Sequence, residues 1–225
     1  MGQAEPTPRR LTAEEYLALE LASEVRHEFF EGEIFAMAGA SIAHNTIAGN
    51  FYITLRQSLR GKKCRVQMEA VRLAVEENRH YTYPDVMVSC DPADQRESQQ
   101  LNLPILIVEV LSPSTEAYDR GLKFNQYKKL PSLRHYLLVS QTTWLVEWYQ
   151  LTEYGAWAHT ALAEADDALA IPELGLAMTL AEVYEEAGVA PLRIAPPAAD
   201  PNAEYLSYEW GPVANELLLI LVDII

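Results

Sequence analysis

Three segments between Tyr83 and Lys129 decide the fold: YPDVMVS (83–89), LPILIVEVLSPST (103–115) and EAYDRGLKFNQYKK (116–129). Within the second segment, Glu109 interrupts an apolar run that predicts a buried strand. A lone carboxylate in a buried strand is costly unless a cation or a hydrogen-bond donor pairs with it. A metal ion is one candidate for that partner, and a buried ion pair with an arginine or lysine is the alternative.

The residues around Glu109 predict a strand–helix–strand unit. Strands are expected at 104–111 and 135–140, and a helix from Ser114 or Thr115 to Lys129 lies between them. In such a unit the two strands run parallel and the crossover is right-handed.

The flanking residues add further helices and strands. Before the central unit, side-chain patterns and turn signals predict a capped helix after Thr12, a turn at Gly32, a strand at 33–37, a helix after Ser41 that ends at Gly61, and strands at 64–75 and 82–90. After it, they predict an antiparallel arm from Trp144, a further strand within 154–163 and a short capped helix within 179–188. We therefore expect an α/β fold of the mixed α+β type, in which helices flank a central mixed β-sheet.

The length of the chain, 225 residues, predicts one domain with a tail. We expect a loose N-terminus at 1–10, the domain at 11–190, and a Pro-rich linker with an apolar C-terminal tail at 191–225. The tail is too short to span a bilayer, so we expect it to pack on its own domain or on a dimer mate. The sequence shows no signal-peptide pattern and no membrane span, which favours a cytoplasmic protein.

The charge of the chain is strongly acidic, because 32 Asp and Glu face 17 Lys and Arg for a formal net charge of −15. This balance opposes unspecific binding to nucleic acid. Contact with DNA would need local basic patches, and two are candidates: Arg56, Arg60, Lys62, Lys63 and Arg65, and Arg120, Lys128 and Lys129. Cys64 and Cys90 lie far apart in the sequence, and we expect reduced, half-buried thiols.

Asp85 and Glu109 form the candidate metal site. Proline cannot lie inside a central strand, so Pro84 places Asp85 near a strand end or a bend. Carboxylates on two adjacent strands offer the hard oxygen ligands that Mg²⁺ or Mn²⁺ prefers, and such an ion could orient a water against a phosphodiester. For Asp85 the alternative is a turn or capping aspartate.

Other polar residues could complete this site. Asp119, Lys123 and Tyr127 are four apart and line one helix face. Lys123 could lower the pKa of an attacking water or offset charge on phosphoryl oxygens, unless it is a solvated helix lysine. Upstream, Glu28, Glu31 or Glu33 could add a metal oxygen, and His44 opens the second helix. The alternatives are surface carboxylates and an exposed or capping histidine.

Several of these motifs together resemble one family. The runs LTAEEYLAL (11–19), RHEFFEGEIFAMAGAS (26–41), PDV (84–86), LPILIVEVLSPST (103–115) and TLAEVYEEAGV (179–189) are similar to the Uma-type restriction endonucleases, a branch of the PD-(D/E)XK nuclease superfamily. The resemblance covers roughly residues 10–189. It implies a restriction-endonuclease-like core and Mg²⁺-dependent cleavage of DNA.

The resemblance also implies roles for individual residues. Asp85 is then the acid of the PD element, Glu109 the second carboxylate, and Glu28 the acidic residue of the first helical element. The superfamily pattern has a lysine two residues after the second carboxylate, where this chain has Leu111. The resemblance suggests that Lys123 takes its place from the following helix, which the length of the lysine stem permits.

The sequence therefore favours a metal-dependent endonuclease that hydrolyses DNA phosphodiester bonds. Asp85, Glu109 and Lys123 would act in catalysis, Glu28 would complete the metal shell, and His44, Tyr127 and Asp119 would be accessory. A catalytically silent nuclease-fold module that serves in binding or assembly is the alternative, and a metal phosphoesterase is a weaker one. A homodimer is expected, because cutting both strands of a duplex suits a two-fold assembly.

Overall fold

The structure is a computed structural model, and it describes residues 10–37 and 39–192. The helices in this part of the chain are α1 (Ala13–Ala22), α2 (Ile42–Ser58), α3 (Glu116–Tyr118), α4 (Phe124–Tyr127) and α5 (Leu180–Val183). A π-helical turn (Asp119–Lys123) joins α3 to α4, and short 3-10 turns occur at Asp94–Arg96 and Pro172–Leu174.

The strands of the described residues fall in three sheets. They are β1 (His27–Phe30), β2 (Glu33–Ala36), β3 (Arg65–Met68), β4 (Arg72–Glu76), β5 (His80–Thr82), β6 (Val86–Ser89), β7 (Gln100–Leu101), β8 (Leu106–Leu111), β9 (His135–Ser140), β10 (Val146–Leu151), β11 (Trp157–Leu162), β12 (Ala168–Ile171) and β13 (Leu176–Thr179).

The main sheet has six strands in the order β11-β10-β9-β8-β6-β3. Strands β8 and β9 are parallel and joined through α3 and α4, so the predicted strand–helix–strand unit is confirmed. Strands β10 and β11 continue the sheet as the predicted antiparallel arm. A second sheet has the order β2-β1-β5-β4-β7, and β12 pairs with β13 as a hairpin.

The predicted strand at 64–75 was wrong as a single element, because it divides into β3 and β4, which belong to different sheets. The predicted strand at 82–90 begins later than expected: β6 spans Val86–Ser89, and of residues 82–85 only Thr82 is in a strand, as the last residue of β5. Glu69, at φ +51°, interrupts the first segment. Pro84, which has no N–H to donate to a ladder, interrupts the second. The strand β1 was not predicted at all.

The predicted helix starts are confirmed. The Thr12 side chain accepts a hydrogen bond from the Glu15 N–H in a capping box, and Thr179 does the same with Glu182 at α5. Ser41 caps α2 by accepting from the His44 N–H. These caps satisfy N–H groups that the first turn of a helix leaves unpaired. The predicted turn at Gly32 is also present, between β1 and β2, where Gly32 takes φ +91°.

Strand β8 divides the main core into two layers because its side chains alternate. Val108 and its even-numbered neighbours pack toward α2, whereas Ile107 and Leu111 pack with Phe124 and Tyr127 of the helical segment. Leu111 is therefore an apolar core residue, and a charged side chain at that position would be buried among apolar side chains.

The two cysteines are joined in a disulfide, so the expectation of reduced thiols was wrong. Arg65 and Ser89 pair directly across the antiparallel strands β3 and β6, and this register brings the next residues outward, Cys64 and Cys90, to a Cα separation of 4.0 Å. The two cysteines are 26 residues apart in the sequence, so their contact depends on strand pairing that the sequence does not show. Both residues are half-buried, as expected.

No helix within residues 10–37 and 39–192 is long and apolar enough to cross a bilayer. The expectations for the N-terminus and for the linker and tail at 191–225 lie almost wholly outside the described residues.

Replacing His80 by leucine is expected to weaken the pH dependence of stability. His80 is buried in β5, and neither ring nitrogen has a hydrogen-bond partner within residues 10–37 and 39–192. Burial, helped by the charges of Lys123 and Lys129, lowers the pKa of His80 to about 4. The imidazole of His80 therefore binds a proton more readily in the unfolded chain than in the folded one, so the free energy of unfolding falls as the pH drops below about 6.5. The loss is about 2 kcal/mol at pH 5.

Urea unfolding at neutral pH and near pH 5 measures this effect. The exposed His159, changed to glutamine, is the control. Wild type and His80→Leu losing the same free energy of unfolding on acidification would contradict the assignment.

Candidate active site

The candidate site lies where the two large sheets diverge. The chain leaves the five-stranded sheet after β5, passes through Tyr83, Pro84 and Asp85, and enters the six-stranded sheet at β6. The Asp85 carboxylate accepts a hydrogen bond of 2.6 Å from the Val110 N–H, next to Glu109. The predicted position of Asp85 at a bend is confirmed, and this bond fixes its carboxylate against β8.

Lys123 stands among three carboxylates. Its Nζ lies 2.9 Å from Glu109 Oε1, 3.0 Å from Glu28 Oε1 and 3.4 Å from Asp119 Oδ1. Lys123, Glu109 and Asp119 are buried, and the Glu28 side chain is only 12% exposed. We call these four residues the Lys123 cluster. They come from β1, β8 and the helical segment, so the cluster joins elements that are distant in sequence.

The π-helical turn places both Asp119 and Lys123, its first and last residues, in the cluster. Turns of this kind are rare and often occur at functional sites. The Tyr136 hydroxyl donates to the Asp119 backbone carbonyl (3.1 Å), which holds the turn against β9. The sequence predicted an uninterrupted helix to Lys129, but α4 ends at Tyr127.

Glu109 has side-chain partners in this structure. Besides Lys123, the Tyr127 hydroxyl donates to Glu109 Oε1 at 2.8 Å, and the Thr82 hydroxyl lies 3.0 Å from the Tyr127 oxygen. The sequence left open an ion pair with a basic residue as the alternative to a metal ion, and this ion pair is present. Lys123 and Tyr127 stabilise a carboxylate that would otherwise be buried alone, and Thr82 contacts it only through the Tyr127 hydroxyl.

The electrostatics of the Lys123 cluster are those of a buried site with excess negative charge. Burial raises the pKa of the Glu109 carboxyl, and the Lys123 ammonium opposes that rise. Burial alone would lower the pKa of Lys123, but Glu109 and Glu28 outweigh it and raise the pKa well above its ordinary value. Lys123 is therefore an ammonium, and with Asp85 nearby it faces more carboxylates than it can neutralise.

His44 approaches Asp85 from the first turn of α2. Its Nε2 lies 3.3 Å from Asp85 Oδ2, and its Nδ1 is buried without a hydrogen-bond partner in the described part of the chain. Burial would lower the pKa of His44, but the hydrogen bond and charge of Asp85 outweigh it and raise the pKa. His44 is thus brought to the site, although it does not join the cluster around Lys123.

The other two upstream glutamates lie outside the site. Glu31 pairs with Arg79, and Glu33 lies 3.2 Å from Arg10, both at the surface. Of the three candidates only Glu28 reaches the cluster, because it is on β1, whereas Glu31 is in the turn and Glu33 is on β2. The implied place of Glu28 in a helical element was wrong, because His27–Phe30 form a strand.

The donor chemistry of the site suits a divalent metal, but the side chains do not form a finished metal site. Among residues 10–37 and 39–192, no group of three or more His, Cys, Asp or Glu side chains is arranged to hold a metal ion. Carboxylate oxygens are the ligands that Mg²⁺ and Mn²⁺ prefer. The Lys123 ammonium occupies the point where Glu28 and Glu109 converge, as a cation would.

Two residues of this region were missed in the sequence. Glu20 is buried on α1 and accepts from the Tyr83 hydroxyl (2.7 Å) and from His27 (N–H 3.1 Å), which ties α1 to the bend before Asp85. Its spacing from Tyr16, on the buried face of α1, was the available signal. Tyr118 lies beside Lys123, with Nζ 6.0 Å from its ring centroid. No sequence pattern singled it out.

The second candidate DNA-binding patch is partly neutralised by ion pairs. Arg120 pairs with Glu116 and Glu147, and Lys129 lies 3.8 Å from Glu76. The first patch begins at the C-terminal end of α2, whereas His44 is at the N-terminal end. A helix of this length spans about 25 Å, so that patch could contact a duplex only at a distance from the site.

Three comparisons relate the chain to known proteins. Residues 13–181 match the family described as "Uma2: Putative restriction endonuclease". Two uncharacterized proteins of Synechocystis sp. are similar: slr1290 is 38% identical over 179 residues, covering 80% of this chain and 93% of that protein. The second, sll1609, is 36% identical over 158 residues, covering 69% of this chain and 89% of that protein.

A solved structure from Anabaena variabilis, titled as "a putative nuclease belonging to DUF820", has a TM-score of 0.67 and 19% identity. The match covers 79% of this chain and 99% of that one. The two proteins share a fold, and the predicted restriction-endonuclease-like, mixed α+β architecture is confirmed.

Replacing Lys123 by methionine is expected to lower the free energy of unfolding by about 3–5 kcal/mol, the cost of leaving a buried charge without its partner. Adding Glu109→Gln to that variant should recover part of the loss, because the double variant buries one carboxylate fewer without a cationic partner, while Glu28 and Asp119 remain. Urea unfolding without metal measures both, and Lys128→Met is the matched control on an exposed lysine. A loss in Lys123→Met no larger than in the control would contradict the ion-pair account.

Proposed function

Because this chain belongs to the Uma2 family of restriction endonuclease-like proteins, we propose that it is a metal-dependent endonuclease that hydrolyses DNA phosphodiester bonds. The observation that carries the proposal is the convergence of Glu28 and Glu109 on one cation, beside Asp85. A structural ion pair needs one carboxylate for a lysine. Several buried carboxylates around one ammonium are better explained by a second cation that binds there.

Asp85, Glu109 and Glu28 are the residues that would hold Mg²⁺ or Mn²⁺. A bound divalent ion supplies a polarised phosphoryl oxygen and a water of lowered pKa. The protein orients the ligands in advance: the Val110 N–H holds Asp85, and Tyr127 holds Glu109. Such hydrogen bonds to ligand side chains fix their orientation before the metal arrives.

Lys123 is proposed to act as a fixed positive charge. Its raised pKa keeps the amine protonated near neutral pH, so it is a poor base for removing a proton from water. An ammonium beside the scissile phosphate instead offsets the charge that develops on the phosphoryl oxygens. Lys123 thus supplies, from the helical segment, what Leu111 cannot supply from β8. Asp119, at 3.4 Å, would position the ammonium.

His44 is proposed as an accessory residue that positions Asp85 through their 3.3 Å contact. The substrate is proposed to be duplex DNA, and the working form a homodimer, since a two-fold assembly presents one site to each strand. The net charge of −15 makes attraction to DNA depend on local charge and on the bound metal.

A catalytically silent module of the same fold is the second candidate. Two observations favour it: Leu111 is buried where the superfamily pattern has lysine, and Lys123 already neutralises part of the carboxylate charge. Binding of a metal ion separates the two candidates, because a silent module does not need it.

Cleavage of supercoiled plasmid tests the proposed activity. Purified protein with Mg²⁺ or Mn²⁺ is expected to nick or linearise the plasmid, and Asp85→Asn and Glu109→Gln are each expected to lower the rate at least about 100-fold. Glu77→Gln, at an exposed glutamate, is the matched control. Equal rates for wild type, Asp85→Asn and Glu109→Gln would assign the cleavage to a contaminant and refute the proposal.

Thermal unfolding with and without Mg²⁺ tests the metal site independently of activity. At about 100 times its Kd, the ion should stabilise the wild type by about 2.7 kcal/mol. At the same Mg²⁺ concentration, the stabilisation should be greater in Lys123→Met, because no ammonium then competes for the carboxylates. It should be absent in the double variant Glu109→Gln/Asp85→Asn. A melting temperature of Lys123→Met that Mg²⁺ leaves unchanged would speak for the silent module.

A further inference from the structure

The Tyr118 side chain lies beside the Lys123 cluster, and none of the roles proposed for Glu28, Glu109 and Lys123 uses its hydroxyl. Its hydroxyl oxygen is buried and has no hydrogen-bond partner within the described residues. Its ring centroid lies 6.0 Å from Lys123 Nζ. A buried hydroxyl without a partner is unfavourable, so natural proteins rarely keep one where nothing ever binds it.

The surroundings of this hydroxyl are those of the candidate site. Glu28, Lys123 and Asp119 are the charged groups that act on it most strongly, and burial with the Glu28 charge raises the pKa of Tyr118 to about 12. The phenol is therefore protonated at neutral pH and has one O–H to donate.

Two neighbouring tyrosines show that the missing partner is specific to Tyr118. The Tyr127 hydroxyl donates to Glu109 (2.8 Å), and the Tyr136 hydroxyl donates to the Asp119 carbonyl (3.1 Å). Both lie in the same packed layer and both are satisfied by protein atoms. Tyr118 alone of the three keeps an unused donor among the described residues, on a ring whose centroid lies 6.0 Å from Lys123 Nζ.

We propose that Tyr118 is a catalytic residue whose hydroxyl donates a hydrogen bond to a non-bridging oxygen of the scissile phosphate. The inference rests on the proposed nuclease function, which brings that phosphate to Glu28 and Glu109. A phosphate oxygen is anionic and a strong acceptor, so it suits a neutral O–H inside a site that already holds several carboxylates. Lys123 and Tyr118 then contact the same phosphate from one helical segment.

Tyr118→Phe is a conservative test because phenylalanine keeps the ring beside Lys123 and removes only the hydroxyl. We expect kcat for plasmid cleavage to fall about 10- to 100-fold with little change in KM, as expected for a contact that strengthens in the transition state. The Tm of the metal-free variant should stay equal to that of wild type or rise, since the lost hydroxyl had no partner. Tyr154→Phe, on an 89% exposed tyrosine, is the matched control and should change neither quantity.

Sulfur substitution of the phosphate gives a second readout that a structural role would not change. A duplex with phosphorothioate linkages offers a weaker acceptor, so cleavage by wild type should slow. Tyr118→Phe has no O–H to lose, and the slowing should be smaller in that variant by about the factor lost in kcat.

Three outcomes overturn the inference. Cleavage by Tyr118→Phe at the rate of Tyr154→Phe would mean that the hydroxyl does not touch the phosphate. A clear fall in the metal-free Tm would mean that the hydroxyl is structural. Equal sensitivity of Tyr118→Phe and wild type to sulfur would exclude the contact. Asp85→Asn is run in parallel: if it is inactive while Tyr118→Phe is fully active, only this inference fails, and if it is as active as wild type, the proposed function fails with it.

Discussion

The ammonium of Lys123, held by Glu109 at 2.9 Å and Glu28 at 3.0 Å, is the contact on which the arrangement of this protein depends. Glu28 comes from the five-stranded sheet, Glu109 from the six-stranded sheet, and Lys123 from the helical segment between β8 and β9. Each charge alone would be expensive to bury, and together they offset most of that cost. The ion pairs therefore fix how the two sheets and the helical segment meet.

The same charges explain why this region is suited to chemistry. A layer of apolar side chains could join the sheets at a lower electrostatic cost, since replacing buried ion pairs by packed apolar groups is often neutral or stabilising. The cluster instead keeps carboxylates whose combined charge one lysine does not balance, with Asp85 fixed beside them by the Val110 N–H. In the proposed account Lys123 neutralises these carboxylates until a divalent ion binds, and it then directs its charge to the phosphate. Metal affinity and stability are thereby coupled through one side chain.

Local sequence signals predicted much of this fold. Capping residues such as Thr12, the apolar run around Glu109 and the bend at Pro84 are each decided within a few residues, and these predictions are confirmed. The division of β3 from β4 between two sheets was not predictable, because periodicity within a strand carries no information about which sheet it joins. The disulfide between Cys64 and Cys90 depends on the same strand register.

For the candidate site, the sequence identified the residue types but not their contacts. Asp119, Lys123 and Tyr127 were placed on one helix face, whereas the π-helical turn and the ion pair with Glu109 required the tertiary structure. Tyr118 was missed because an unpaired hydroxyl is visible only when all neighbouring atoms are known.

Binding of a metal ion by these carboxylates is the central claim of the proposed function. Crystals soaked in Mn²⁺ and measured at the manganese absorption edge test it directly. The account predicts an anomalous peak about 2.0–2.3 Å from oxygens of Asp85 and Glu109, within the usual range for a hard cation and its ligands, with the Lys123 ammonium moved aside. A map with no such peak and Lys123 still between Glu28 and Glu109 would contradict it.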